Sequence, residues 1–443
     1  MKRFFSRILT VGIAKLFRFR RRFRHQAGLV FLLVFTLILS NFLSNYPGRS
    51  LDEPTEIRGV WLTNIDSDVL FKRQNISNAI ETLAQLNFNT LYPTVWNWGH
   101  TLYPSQVAEK VLGHSLDPEE GLQGRDVLQE IVEQGHDKSM AVIPWFEFGF
   151  MAPADSELAQ RHPDWLTQRR NGSKIWLEGN VHKRVWLNPL RPDVQQFITD
   201  LIVEIVSNYD VDGIQLDDHF GFPSDFGYDD FTVQLYQQEH GGQSPPINYQ
   251  DREWIRWRAN KITDYAKQLF RAIKDSNPKA LVSLSPNPQE FSLESFLLDW
   301  QRWERSGLIE ELILQVYRRN LRDFLRELAQ PEVQAARHHI PVGIGILSGL
   351  KGRPVPFERI KTQVKTARNQ GFAGVSFFFY ESLWNLAEES PQQRQSAFKS
   401  LFSTAVKRQS TINNQQLTIN SQQSTVNSQQ STINSQHPAK AAA

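Results

Sequence analysis

The chain has 443 residues, no cysteine, 40% hydrophobic and 22% charged residues, which excludes disulfide scaffolds, thiol catalysis, collagen and a multi-span membrane protein. The formal net charge of +2 is unevenly spread: nine of the 49 Lys and Arg fall within residues 1–25, where there is no acid, leaving 40 basic against 47 acidic residues beyond them. A mildly acidic body excludes nucleic acid as a partner, because neutralising phosphates needs a positive face.

In chain order, the basic leader 1–26 precedes an apolar stretch at 27–43. A helix of that length reaches about 25 Å, close to the roughly 30 Å of a bilayer core. Basic flanks stay cytoplasmic. The stretch is therefore expected to act as a signal-anchor in the inner membrane or as a signal peptide, with the body on the extracytoplasmic, periplasmic side. The sequence after it, Ser40 to Pro47, lacks a small-x-small cleavage pattern, which favours the anchor. Residues 44–53 read as a linker. At the far end, Thr411, Thr418, Thr425 and Thr432 each open a Thr-Ile-Asn or Thr-Val-Asn step at seven-residue spacing among Gln and Ser. One apolar residue per heptad cannot build a coiled-coil seam, so 406–443 reads as a disordered low-complexity tail.

Between the ends, β-rich segments at 57–62, 90–95, 141–145, 213–216, 281–284, 312–316, 342–346 and 375–379 alternate with helical patterns, the signature of a parallel α/β sheet. The clearest helix follows Pro192, with Val194, Phe197, Ile198, Leu201, Ile202, Ile205 and Val206 on one face and Asp193 as its expected cap. Ile76, Ile80 and Leu83 share a face behind Asn75, another expected cap. Ile360, Val364 and Ala367 do the same before the last strand. Eight strands with eight crossovers predict a (β/α)8 TIM barrel over 54–405 with long βα-loop insertions. A doubly wound sheet would need a Gly-rich loop after the first strand; Trp61-Leu-Thr-Asn-Ile-Asp66 has none.

In such a barrel the site forms at the carboxyl ends of the strands. Those ends carry Trp61 and Asn64; Trp96, Asn97, Trp98 and, just beyond, His100; Trp145 and Glu147; Asp217, Asp218 and His219; Asn287; Gln315 and Tyr317; Tyr380 and Glu381. Aromatic faces for pyranose C–H groups, with carboxylates and amides for hydroxyls, suit a sugar. A packing role for any single Trp is the plainer alternative. Strand alternation turns Gln215 and Asp217 into the mouth, with Asp218 starting the loop; Asp212 reads as a turn residue before Gly213. Two adjacent acids at a buried strand end need pairing or use. Glu147, among aromatics, is expected to have a raised proton affinity, as a general acid needs. No His-x-His or His-Glu-x-x-His pattern occurs, so neither metal nor cofactor is expected. The 148–187 segment, with Trp165, Trp176 and Trp186 and the cations Arg169, Arg170 and Lys174, is expected to wall the cleft.

At these residues the chain resembles the glycosyl hydrolase-like family ten. The matching stretches are Ile57-Arg-Gly-Val-Trp-Leu-Thr-Asn64, Leu86-Asn-Phe-Asn-Thr-Leu-Tyr-Pro-Thr-Val-Trp96, Pro144-Trp-Phe-Glu-Phe-Gly149, His162-Pro-Asp-Trp165, Trp186-Leu-Asn-Pro189 and Tyr209-Asp-Val-Asp-Gly-Ile-Gln-Leu-Asp-Asp-His219. The resemblance implies a (β/α)8 barrel that hydrolyses glycosidic bonds outside the cytoplasm; some relatives look like cell-division glycosidases that cut peptidoglycan strands stripped of stem peptides. Gln215 and His219 stand where a chitinase-type motif has Asp and Glu, which argues against substrate-assisted catalysis. The expected roles are Asp217 as nucleophile or base, Glu147 as general acid and Asp218 as an orienting or alternate acid. Expected substrate contacts are Trp61, Asn64, Trp96, Trp98, His100, Trp145, Gln215, His219, Gln315, Tyr317 and Glu381. The alternative is a non-catalytic glycan-binding barrel held near the cell wall; a metal-dependent hydrolase on the same fold is the third reading.

Overall fold

The computed structural model describes residues 55–408. The leader, the apolar stretch at 27–43 and the repeats beyond 408 lie outside them; among the described residues no helix is long and apolar enough to cross a membrane.

All eight strand expectations are met within a residue or two. One sheet runs in the order Ala141–Val142, Thr90–Pro93, Ile57–Leu62, Gly374–Phe378, Val342–Leu347, Glu311–Gln315, Leu281–Ser285, Gly213–Asp217, Trp145–Phe146, with every pairing parallel. The first and last members of that order are the two ends of one run of chain, 141–146. That run is bonded on both edges: Ile143 N donates to Leu91 O at 2.9 Å on one side, and Gln215 N to Pro144 O at 2.8 Å on the other. The result is a curled parallel sheet with helices packed outside it, an α/β glycosidase-like fold.

Alternation along the strands decides what fills the two sides. Ile57, Trp61, Tyr92, Ile143, Trp145, Ile313 and Phe379 form an inner cluster. Val60, Leu62, Leu91, Val142, Ile214, Leu216 and Leu314 belong to the larger core shared with the helices. Pro192–Asn208 buries all seven residues of its expected apolar face. Its start is capped differently, however. Asp193 lies not at the N-cap position but inside the first turn, where it pairs with Arg191 at 2.6 Å and accepts from Val194 N at 3.1 Å. Asn75 likewise sits within Arg73–Gln85 and donates its amide to Asp68 O at 2.9 Å.

Two insertions shape the mouth. Trp96–Asn97 and His100–Thr101 form a hairpin whose two turn residues, Trp98 and Gly99, both have left-handed φ of 54° and 80°, the twist a two-residue hairpin turn requires. Within 148–187, Met151–Pro153, Trp176–Glu178 and His182–Trp186 make a small antiparallel sheet. The described fold also runs past residue 405: Lys407 bridges Thr55, and Arg408 reaches the buried Glu311.

Candidate active site

Register brings the acids together. Leu216 is the Cα partner of Phe146 in neighbouring parallel strands, so one step further along each chain lie Asp217 and Glu147, about 4.8 Å apart in strand spacing. Glu147 is buried, and its Oε2 accepts from Thr63 Oγ1 at 2.9 Å, Thr94 Oγ1 at 2.9 Å and Asn97 Nδ2 at 3.0 Å. All three donors come from the ends of the first two strands. Burial pushes the Glu147 carboxyl up to about 7, although the hydroxyls of Thr63 and Thr94 and the charge of His219 pull the other way.

Asp217, Asp218 and His219 form one unit. His219 Nδ1 lies 2.9 Å from the Glu147 carbonyl oxygen, 3.2 Å from Asp217 Oδ2 and 3.1 Å from Asp218 Oδ1. A carbonyl can only accept, so Nδ1 carries a proton. The imidazole is stacked between Phe148 and Trp186, each with its ring centre 5.7 Å away. Burial alone would strip this imidazole of its charge, but Asp218 and Asp217 outweigh burial and hold it well above the usual histidine range. The two carboxyls then part company. Burial, then the charge of Asp218, raises Asp217 well above the ordinary aspartate range. Burial pushes Asp218 the same way, yet the His219 charge and hydrogen bond prevail and hold it low. A fixed amide serves each: Gln315 Nε2 donates to Asp217 Oδ1 at 2.9 Å, and Asn287 Nδ2 donates to Asp218 Oδ2.

Tyr317 joins the group. Burial and the charges of Asp217, Asp218 and Glu147 all push its phenol up, and its ring lies on Phe378 at 5.9 Å. Trp98 is exposed at the hairpin tip. The left-handed backbone that holds it there is rare for a residue with a side chain.

Other expected contacts sit elsewhere. Trp61 is inside the sheet, donating Nε1 to Gln215 Oε1 at 2.7 Å and stacking on Tyr92. Gln215 is fully buried and spends its amide on Ser283 Oγ at 3.0 Å, so it braces the interior. Trp145 is buried beside Trp61 at 6.0 Å, with its Nε1 unpartnered. Trp96 is core: its Nε1 donates to Gly149 O at 2.9 Å, and its ring packs on Phe146 and Phe197. His100 packs on His114 at 4.8 Å. Gln315 holds Asp217. Arg169 is committed to Asp225 at 2.5 Å and the Phe226 face, and Lys174 to Pro163 O. Asp212 does more than turn the chain: its carboxylate takes Val142 N at 2.7 Å and His136 at 3.0 Å.

Asn64 and Glu381 line a neighbouring cleft of about 610 Å³. Asn64 Oδ1 is 2.8 Å from the same Asn97 amide that serves Glu147, so cleft and acid are one hydrogen-bond step apart. Trp186, expected in the cleft wall, stacks on His219; Thr63, Thr94 and Phe148 lie in the stretches that carry the resemblance, with no role expected of them. Asn97 and Asn287 did stand at strand ends, where an amide is unusual. Asp217, Asp218 and His219 also present ligand atoms within 4.8 Å of one another, the one such group of three among the described residues able to hold a metal. A contiguous Asp-Asp-His matches none of the histidine spacings on which the metal-free expectation rests.

A model of the Glycosyl hydrolase-like 10 family matches residues 56–367. The chain is 24% identical to glycosyl hydrolase DigH of Escherichia coli strain K12 over 320 residues, covering 62% of this chain and 68% of that protein. It is 24% identical to glycosyl hydrolase YngK of Bacillus subtilis strain 168 over 252 residues, covering 52% of this chain and 45% of that protein. Among solved structures, the PgaB (BpsB) glycoside hydrolase domain from Bordetella bronchiseptica superposes with a TM-score of 0.56 at 12% identity, over 76% of this chain and 100% of that one. Alpha-L-fucosidase isoenzyme 2 from Paenibacillus thiaminolyticus gives 0.54 at 16%, over 79% and 49%. At such identities these two establish the fold alone. The family match, spanning well over half of the sequence, makes this chain a member of the glycosyl hydrolase-like 10 family.

Proposed function

We propose that the chain is a glycoside hydrolase cleaving O-glycosidic bonds in a polysaccharide, built on a closed (β/α)8 barrel and working outside the cytoplasm behind an N-terminal anchor or signal. The observation that carries this is geometric: strand register and His219, which contacts the Glu147 carbonyl and both aspartates, bring Glu147, pushed up to about 7, to the strand end next to Asp218, held low. Two such acids with opposed proton affinities are what glycosidic cleavage uses. Glu147 gives its proton to the glycosidic oxygen as the bond to the anomeric carbon breaks. Asp218, ionised and partly open to the mouth, attacks that carbon or takes the proton of an attacking water. Asp217, deeper and kept protonated, orients the pair together with His219. The roles of the two aspartates are thus exchanged relative to the sequence expectation: the outer one does the chemistry. Tyr317 and Trp98 offer the sugar a hydroxyl and a stacking face.

Denuded peptidoglycan strands are the first substrate to test, given the family resemblance and the extracytoplasmic expectation. Turnover of purified strands by the wild-type chain, with loss in Glu147→Gln and Asp218→Asn, supports the hydrolase. Binding by all three without cutting supports a glycan-binding barrel in its place. A metal-dependent reading has one observation in its favour, the three ligand atoms within 4.8 Å; it predicts that a chelator abolishes turnover and that a divalent cation restores it.

A further inference from the structure

The 610 Å³ cleft beside the acids is within the roughly 300–1,000 Å³ range of small-molecule sites. Asn64, one of its lining residues, is tied through the Asn97 amide to Glu147. Asn97 is fully buried and keeps its Oδ1 without a hydrogen-bond partner. Along the walls stand Asp66, Asp68, Lys351, Tyr380 and Glu381. Lys351 reaches Asp66 at 3.2 Å. Glu381 is fixed by Ser67 Oγ at 3.1 Å and Asn385 Nδ2 at 2.5 Å, both neutral donors that leave its charge in place. Asp68 is exposed. Three carboxylates therefore face one ammonium.

We infer that this cleft is a subsite that seats a neutral or amine-bearing sugar of the glycan chain and turns away a sugar carrying a carboxylate. The inference rests on the glycosidase reading and adds a selectivity to it. Amide and carboxylate oxygens accept from sugar hydroxyls, and Tyr380 supplies an aromatic face. A surplus of like charge repels an anionic substituent and attracts an ammonium. On a strand that alternates sugars with and without a lactyl carboxylate, this fixes the register. The unit without the carboxylate occupies the cleft, and the scissile bond is set accordingly.

The test is calorimetric binding to the full chain carrying Glu147→Gln, with three probes of one backbone. These are the β-1,4 tetramer of N-acetylglucosamine, the same tetramer de-N-acetylated to amines, and the same tetramer oxidised to carboxylates at C6. The carboxylate form is expected to bind at least about tenfold more weakly than the neutral form, and the amine at least as tightly. Adding Asp68→Lys and Glu381→Gln is expected to bring the three within about threefold of one another. Equal binding of the three tetramers, or a preference untouched by the two cleft substitutions, overturns the subsite while leaving the glycosidase reading intact. A chain that binds none of them overturns both.

Discussion

In the proposed mechanism four residues carry most of the chemistry, and each owes its state to its surroundings. Burial pushes the Glu147 carboxyl up to about 7, because a buried acid disfavours its charged form. Turnover is therefore expected to fall as pH rises through about 7, where that proton is lost. Stability follows the same proton. A carboxyl whose folded value lies above its unfolded one stabilises the fold below the unfolded value, and that contribution disappears as pH climbs through the folded value. Thermal melts of wild type and Glu147→Gln should converge near about pH 4.5 and separate above about pH 7, with the Gln variant the more stable. On the acidic side, the proposed mechanism expects activity to be limited by protonation of Asp218, which the His219 charge holds low. Removing that charge with His219→Gln should move the acidic limb of the kcat/KM profile to higher pH and cut kcat by roughly 10²-fold or more. A purely structural histidine would lower the amount of folded protein without moving the limb. The motif around Asp217 and Asp218 made these residues legible in the sequence. Their division of labour was not, because it depends on burial and on where the His219 charge falls between the two carboxyls.

At the scale of elements, the site depends on two loops held in contact. The turn after Trp145–Phe146 and the turn after Gly213–Asp217 meet where Phe150 N donates to His219 O at 3.1 Å. Gly149 makes that approach possible. Its φ is +49°, and a Cβ there would lie 2.4 Å from the His219 carbonyl oxygen. Gly149→Ala is thus expected to destabilise the chain by about 1–3 kcal/mol and to lower kcat, by displacing His219 from Asp218. Differential scanning calorimetry with turnover on the same sample checks both parts. Strand positions were readable from their β-rich runs, and helix faces from their period. Helix starts were not: at Pro192–Asn208 the N-cap position falls on Arg191, and Asp193 serves the first turn from inside it. The tryptophans divided in the same way. Trp61, Trp96 and Trp145 fall on strand ends exactly as a sugar platform would, but alternation and packing turn all three into the core; only Trp98, lifted by its hairpin, is open.

For the whole molecule, the end of the sheet away from the site is closed by the last described residues. Glu311 is buried, and Tyr92 OH and Ser283 Oγ donate to its Oε1 at 3.2 and 2.9 Å while Arg408 pairs with its Oε2 at 2.5 Å. Removing one partner of a buried pair leaves an uncompensated charge, at a cost of about 3–5 kcal/mol. A chain ending at Ala405 should therefore melt well below one ending at Arg408, although they differ by three residues. Equal melting points would show that Glu311 does not depend on that partner. Nothing in the composition of Val406-Lys-Arg408 distinguishes a buried cation from an exposed one.

The most direct test of the account is the proton on Glu147. Carbon-13 NMR titration of the side-chain carboxyls in the full chain, with Glu147→Gln to assign the resonance, should give a midpoint of about 7 for Glu147. A midpoint at the ordinary glutamate value of about 4.3 would leave Glu147 ionised at neutral pH and would contradict its assignment as the general acid.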